Sequence, residues 1–144
     1  MKKKICIVLA DYYPDITNML MKGSTRRILD AESKNILKIS HDSIHVPGVF
    51  EIPVTIAKLI SKYDAFVALG CVVKGETPHF DLISKAVVNA IMNLSVRNNK
   101  PIGNGIITCL NMRQAIERAD PNKKNKGGEA VSAVLLTLAN FKNA

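Results

Sequence analysis

Residues 65–81 read Ala65-Phe66-Val67-Ala68-Leu69-Gly70-Cys71-Val72-Val73-Lys74-Gly75-Glu76-Thr77-Pro78-His79-Phe80-Asp81. The unbroken apolar run Ala65–Leu69 is the pattern of a strand buried on both faces. Downstream, Ile83, Ala86, Val87, Ala90, Ile91 and Leu94 recur at three- and four-residue steps, the spacing of an amphipathic helix. Thr77 suits the N-cap of that helix, and Pro78 suits its first position, where a missing N–H costs nothing. A glycine turn opening into a helix points free N–H groups and the positive end of the dipole outward, a seat for a phosphate. His79 falls in the same first turn, able to move protons beside an anion. A glycine turn before a helix is usually only a turn, and a lone histidine usually only a polar surface residue. The site reading therefore depends on other stretches converging on it.

They do converge, at the level of pattern. Ile5–Ala10 reads as a buried strand, broken by Asp11-Tyr12-Tyr13-Pro14-Asp15 and followed by a helix from about Asp15 to Glu32 with Ile16, Met19, Leu20 and Ile28 inward. Tyr12 thus stands at a carboxyl strand end, where open α/β sheets place their ligands and where a ring can stack on a planar heterocycle. A second strand lies within Ile36–Val46, and His41 and His45 are read as surface residues. Val46-Pro47-Gly48-Val49-Phe50-Glu51-Ile52-Pro53 then turns into a helix reaching about Lys62, which puts Phe50 and Glu51 at another strand tip. Glu51 equally suits the helix dipole. Ile102–Cys109 reads as a fourth strand whose glycines permit close backbone approach. Asn111 caps a short helix carrying Ala115, Ile116 and Ala119. After a basic joint over Asn122–Gly128, a last helix carries Ala130, Val131, Val134, Leu135 and Leu138. Four alternations of strand and helix predict a four-stranded parallel sheet in a three-layer α/β/α sandwich of flavodoxin-like build, with right-handed crossovers.

With 144 residues, 47% hydrophobic and 22% charged, one folded domain is expected. The net charge of +8 favours anionic partners. An aromatic content of 5%, no tryptophan and no recognition motif argue against nucleic acid. Lysine-rich composition accounts for much of the excess charge. Cys6, Cys71 and Cys109 form no C-x-x-C pair and lie in apolar runs, which predicts buried reduced thiols and no zinc site. Lys2-Lys3-Lys4 precedes only about six apolar residues before Asp11, too few for a signal peptide or a membrane span. A cytoplasmic protein is expected.

Three motifs carry a resemblance to the 6,7-dimethyl-8-ribityllumazine synthases: Val46–Pro53, Leu69–Asp81, and Gln114–Ala119 with Asn125–Ala130. With the helix at Ile16-Thr17, the match covers nearly the whole chain in order, as one lumazine synthase domain over residues 1–144. The resemblance implies a transferase that condenses 5-amino-6-(D-ribitylamino)uracil with 3,4-dihydroxy-2-butanone 4-phosphate, releasing phosphate and water, without cofactor or metal. It implies His79 as acid/base residue, a type of side chain that titrates near neutrality. It places the phosphate on Glu76 and Thr77 with Arg118, and Tyr12 against the pyrimidine. Val49, Phe50, Glu51, Cys71, Val72 and Val73 would line the pyrimidine and ribityl pocket. Lys126 would lie nearby, and Asn104, Arg118 and Lys126 would come from a neighbouring subunit. The implied partners are two small molecules, one phosphorylated, further copies of the chain as a pentamer or a sixty-subunit shell, and riboflavin synthase. No membrane partner is implied.

The chain departs from the family pattern in places. Asn104 stands where many relatives carry an aromatic or apolar residue, Asp11-Tyr12-Tyr13 replaces a more usual basic-aromatic-polar triplet, and Asp120-Pro121 alters the joint before the last helix. A free pentamer is the expectation. Two other functional readings compete: a non-catalytic flavin- or nucleotide-binding module of the same build, and a basic RNA-associating scaffold.

Overall fold

Apolar side chains at both odd and even positions of the central strands require cover on both faces of the sheet, and the fold supplies it. The computed structural model describes residues 2–35 and 37–142. Its order is β1 (Lys2–Ala10), α1 (Pro14–Ser33), β2 (Lys38–Val46), a 3-10 turn (Val49–Glu51), α2 (Ile52–Leu59), β3 (Ala65–Val73), α3 (His79–Asn98), β4 (Ile102–Cys109), α4 (Met112–Ala119) and α5 (Lys126–Lys142). The strands lie in the order β2-β1-β3-β4, and every pairing is parallel.

Strand β3 is buried almost throughout and β1 from Ile5 onward, whereas the edge strands β2 and β4 carry exposed positions along their length. Ile5, Ile7, Leu9, Ala65, Val67 and Leu69 face one core, shared with α1, α4 and α5. Cys6, Val8, Ala10, Phe66 and Ala68 face the other, shared with α2 and α3. The handedness of crossovers explains the division. The step from β1 to β2 runs across the sheet in one direction, while the steps from β2 to β3 and from β3 to β4 run in the other. Right-handed connections therefore send α1 to one face and α2 and α3 to the opposite face.

The helix pair α1–α5 is held by backbone contact. Ser24 donates from its buried hydroxyl to the Gly127 carbonyl at 2.9 Å, and the Arg27 guanidinium donates to the Ser132 hydroxyl. A methyl at Gly127 would overlap the Leu20 carbonyl. Asn125, at a φ of 49°, opens α5 by accepting from the Gly128 N–H at 3.2 Å. Gly70 has a similar role on the other face, since a methyl there would come within 2.6 Å of the Val49 side chain. Its absence lets the turn after β2 press against β3.

Several boundaries differ from the sequence reading. Ile36, the expected start of the second strand, lies outside the described residues, and β2 runs from Lys38. The apolar run at Ala65–Leu69 continues as strand to Val73, because β4 pairs with it as far as Cys109. Helix α2 ends at Leu59 rather than Lys62, and a 3-10 turn precedes it. Helix α3 begins at His79 with Pro78 as its N-cap, one residue later than expected, although Thr77 Oγ1 still accepts from the His79 N–H at 3.4 Å. Helix α5 begins at Lys126, so Gly127 and Gly128 lie inside it. Ala86 and Ile116, both expected to face inward, are exposed.

A Gly→Ala change in a helix ordinarily gains about 0.5–1 kcal/mol. At Gly127 the overlap with backbone should outweigh that gain, and Gly127→Ala is expected to lower stability by about 1–3 kcal/mol in urea titration. Gly75→Ala, with no atom within 4 Å of the added carbon, should stay within about 0.5 kcal/mol of the parent.

Candidate active site

The strand order reverses between β1 and β3, and a crevice opens beyond the carboxyl ends of strands at such a point. Here it is a cavity of about 610 Å³. Tyr12 and Tyr13 enter it from the exit of β1, Gly48, Val49 and Phe50 from the exit of β2, and Cys71, Val72 and Val73 from the end of β3. Gly75 and Thr77 follow in the loop, and His79, Phe80 and Ile83 come from the first turns of α3.

Two rings beside this cavity are left without cover by the fold. Tyr12 is 72% exposed and Phe50 64% exposed, and Tyr12 meets Tyr13 edge-on, at 5.0 Å and 79°. Exposed rings at a concave site offer flat apolar surface to a planar ligand. His79, which also lines the cavity, is exposed at the start of a twenty-residue helix, and no hydrogen bond to its ring forms among the described residues. The first-turn N–H groups and the positive end of that helix favour an anion here. Asp81 in the same turn already places one carboxylate near that end.

Other expected site residues lie elsewhere. Glu51 is half-buried and its Oε1 accepts from the Gly48 N–H at 3.0 Å, so it closes the turn that presents Phe50. Glu76 is exposed in the loop, off the cavity wall. Asn104 pairs with Ala68 in the sheet, and its Oδ1 accepts from the Ile106 N–H at 3.1 Å. It sits five residues before the carboxyl end of β4, roughly 16 Å back along the strand. Arg118, half-buried in the last turn of α4, donates to the Gln114 carbonyl at 3.4 Å. Lys126 pairs with Glu129 at 2.9 Å at the start of α5. Neither cation lines the cavity of its own chain.

The cavity wall also includes residues that the sequence reading passed over: Tyr13, Gly48, Gly75, Phe80 and Ile83. Four of these adjoin a residue already singled out. Ile83 follows His79 by one helical turn, and that spacing was a usable signal. Among the described residues, no three His, Cys, Asp or Glu side chains converge to hold a metal ion.

The family model described as 6,7-dimethyl-8-ribityllumazine synthase matches residues 2–142. The chain belongs to the 6,7-dimethyl-8-ribityllumazine synthase family. A protein of that name from Bartonella tribocorum is 44% identical over 145 residues, covering 96% of this chain and 91% of the relative. Another, from Buchnera aphidicola subsp. Baizongia pistaciae, is 44% identical over 140 residues, covering 93% and 84%. A third, from Limosilactobacillus reuteri, is 39% identical over 134 residues, covering 92% and 85%.

Within this lumazine synthase fold, the thiol on the cavity wall is chemically quiet. Burial, and secondarily the neighbouring Cys109, pushes Cys71 from the ordinary thiol value of 9.0 up to about 12. Burial raises Cys109 too, against the opposing pull of the Arg118 guanidinium and the hydrogen bond with Cys71. The reactive form of a thiol is the thiolate, so neither is a nucleophile near neutrality. Because folding raises the Cys71 pKa, the stability linked to it is complete below pH 9 and is lost as pH climbs towards 12. The thermal midpoint should therefore fall over that interval, and Cys71→Ala should flatten the decline. Alkylation of Cys71 by iodoacetamide between about pH 6 and 8 should be slow compared with a free thiol.

Proposed function

We propose that the chain condenses 5-amino-6-(D-ribitylamino)uracil with 3,4-dihydroxy-2-butanone 4-phosphate to 6,7-dimethyl-8-ribityllumazine, the penultimate step of riboflavin biosynthesis. The observation that carries this is the cavity of a lumazine synthase family member whose wall includes two unpacked rings, Tyr12 and Phe50, together with His79 at a helix start. The uracil lies between Tyr12 and Phe50, with Val49, Cys71, Val72 and Val73 around it. The phosphate rests on the backbone of Glu76 and Thr77. The ring amine attacks the ketone, water leaves as the imine forms, and phosphate is eliminated. Loss of the carbinol-carbon proton with phosphate leaves an enol that tautomerises to a new ketone. The ribitylamino nitrogen attacks that carbonyl, and a second dehydration closes the ring. Each step moves a proton, and the His79 imidazole is the side chain placed to shuttle it. Holding two substrates together supplies much of the acceleration. The flavin- or nucleotide-binding alternative gives His79 no task and is not favoured.

The functional unit is the whole chain, residues 1–144, as one domain within a homo-oligomer that we take to be a pentamer rather than a sixty-subunit shell. Two observations support this. Asn104, Arg118 and Lys126 lie off the cavity of their own chain, which fits their serving a neighbour's cavity, Arg118 clamping the phosphate through paired donors and Lys126 lying beside the substrates, while Glu51 of the cavity's own chain meets ribityl hydroxyls. Helix α3 also leaves Leu82 66%, Met92 60% and Val96 67% exposed, a stripe suited to another copy. No helix among the described residues is long and apolar enough to cross a membrane. We place the reaction in the cytoplasm, with riboflavin synthase taking the product.

Mixing protein with both substrates should give lumazine fluorescence above the uncatalysed rate. His79→Ala should lower kcat by about a hundredfold without abolishing turnover. Arg118→Ala should raise KM for the phosphorylated substrate by about tenfold to a hundredfold. No turnover, or full activity in both variants, would overturn the assignment.

The contribution in trans has its own test. His79→Ala and Arg118→Ala chains, unfolded together and reassembled, should regain part of the activity that each lacks alone, because some cavities then hold both native groups. Light scattering on the parent protein should give the mass of five chains.

A further inference from the structure

The three residues that lead from β1 into α1 are anchored to β2 twice over. The Asp11 N–H donates to the Val46 carbonyl at 2.9 Å, extending the β1–β2 ladder by one bond. The Asp11 carboxylate accepts from His45 Nδ1, with both oxygens at 2.9 Å. Both anchors sit next to the flat-ring slot. Asp11 immediately precedes Tyr12, while His45 and Val46 immediately precede the Pro47–Phe50 turn. The two exposed rings are thus carried on loops that diverge from a common fastening. Tyr12 itself has no polar partner among the described residues, so the placement of its ring depends on the backbone beneath it. Behind that backbone, the Thr17 hydroxyl donates to the Ala10 carbonyl at 2.5 Å and the Thr17 N–H donates to the Tyr13 carbonyl at 3.0 Å. These bonds hold Ala10 and Tyr13, on either side of Asp11 and Tyr12, and the Asp11 side chain adds the tie between them.

We propose that Asp11 and His45 form a positioning pair that sets the separation of Tyr12 and Phe50 and thereby the affinity for the planar substrate, without touching it. This rests on the reading that the uracil lies between those two rings. His45 gives the Asp11 carboxylate a partner from the neighbouring strand. The pair stays exposed, with the His45 side chain 57% and the Asp11 side chain 44% accessible, so its effect is bounded at a few-fold.

Steady-state kinetics on the assembled enzyme test the proposal. Asp11→Ala and His45→Ala should each raise KM for the pyrimidine substrate by about three- to fivefold, leaving kcat and the KM of the phosphorylated substrate within about twofold. The double variant should be no worse than either single one, since both remove the same interaction. His45→Asn, whose side-chain amide can place a donor near Nδ1, should recover most of the loss. An unchanged pyrimidine KM in both alanine variants overturns the proposal, as do additive losses in the double variant. A fall in kcat at constant KM also overturns it, because the pair would then serve the chemistry. Tyr12→Ala separates this from the ring-slot reading. If Tyr12→Ala leaves the pyrimidine KM unchanged, the slot itself is misassigned. If it raises KM while the Asp11 and His45 variants do not, the positioning pair alone fails.

Discussion

The parallel pairing of β1 with β3, from Ile5 opposite Ala65 to Leu9 opposite Leu69, is the constraint on which the rest of the molecule depends. It puts β2 and β3 on opposite sides of β1, so the first two crossovers run in opposite directions. Right-handed connections then divide the helices between the two faces, and the loops leaving β1 and β3 part company. The cavity is the gap they leave. Any pairing that placed β2 between β1 and β3 would set the Tyr12 loop apart from the Cys71–His79 segment, and no crevice would form between them.

The chain supports this arrangement by removing side chains where backbones must meet. Gly127 lets α5 lie against the Leu20 turn of α1, and Gly70 lets the Val49 turn settle on β3. The first contact joins the two long helices on one face. The second seats the turn that carries Phe50, one of the residues on the cavity wall. The rings of Tyr12 and Phe50 show the opposite economy. Large apolar side chains that could have been buried are left in solvent, a cost that a planar ligand would offset.

Much of the fold was legible because burial imposes different periods on different elements. The continuous apolar runs at Ile5–Ala10 and Ala65–Leu69 mark two strands buried on both faces. Misjudged boundaries follow from contacts between distant segments. Cys71, Val72 and Val73 belong to β3 because β4 pairs with them, a long-range fact absent from the local pattern. Gly127 and Gly128 read as a joint because glycine disfavours helix locally, yet the approach of α1 requires them inside one. The exposed face of α3 also defeats a periodic reading, since Leu82, Met92 and Val96 are as apolar as the residues that face the core.

By itself, the sequence determined the strand count, the alternation with helices, the family through its motifs, and the residues at the strand tips. Those are properties of neighbouring residues, and local chemistry suffices to read them. Only the tertiary structure decided which of those residues share one cavity. It put Tyr12, Phe50 and His79 together from stretches far apart in the chain, and it left Asn104, Arg118 and Lys126 outside. It also joined Asp11 to His45, thirty-four residues away. The physical reason is that strand order and crossover hand, which no short stretch encodes, fix which loops meet.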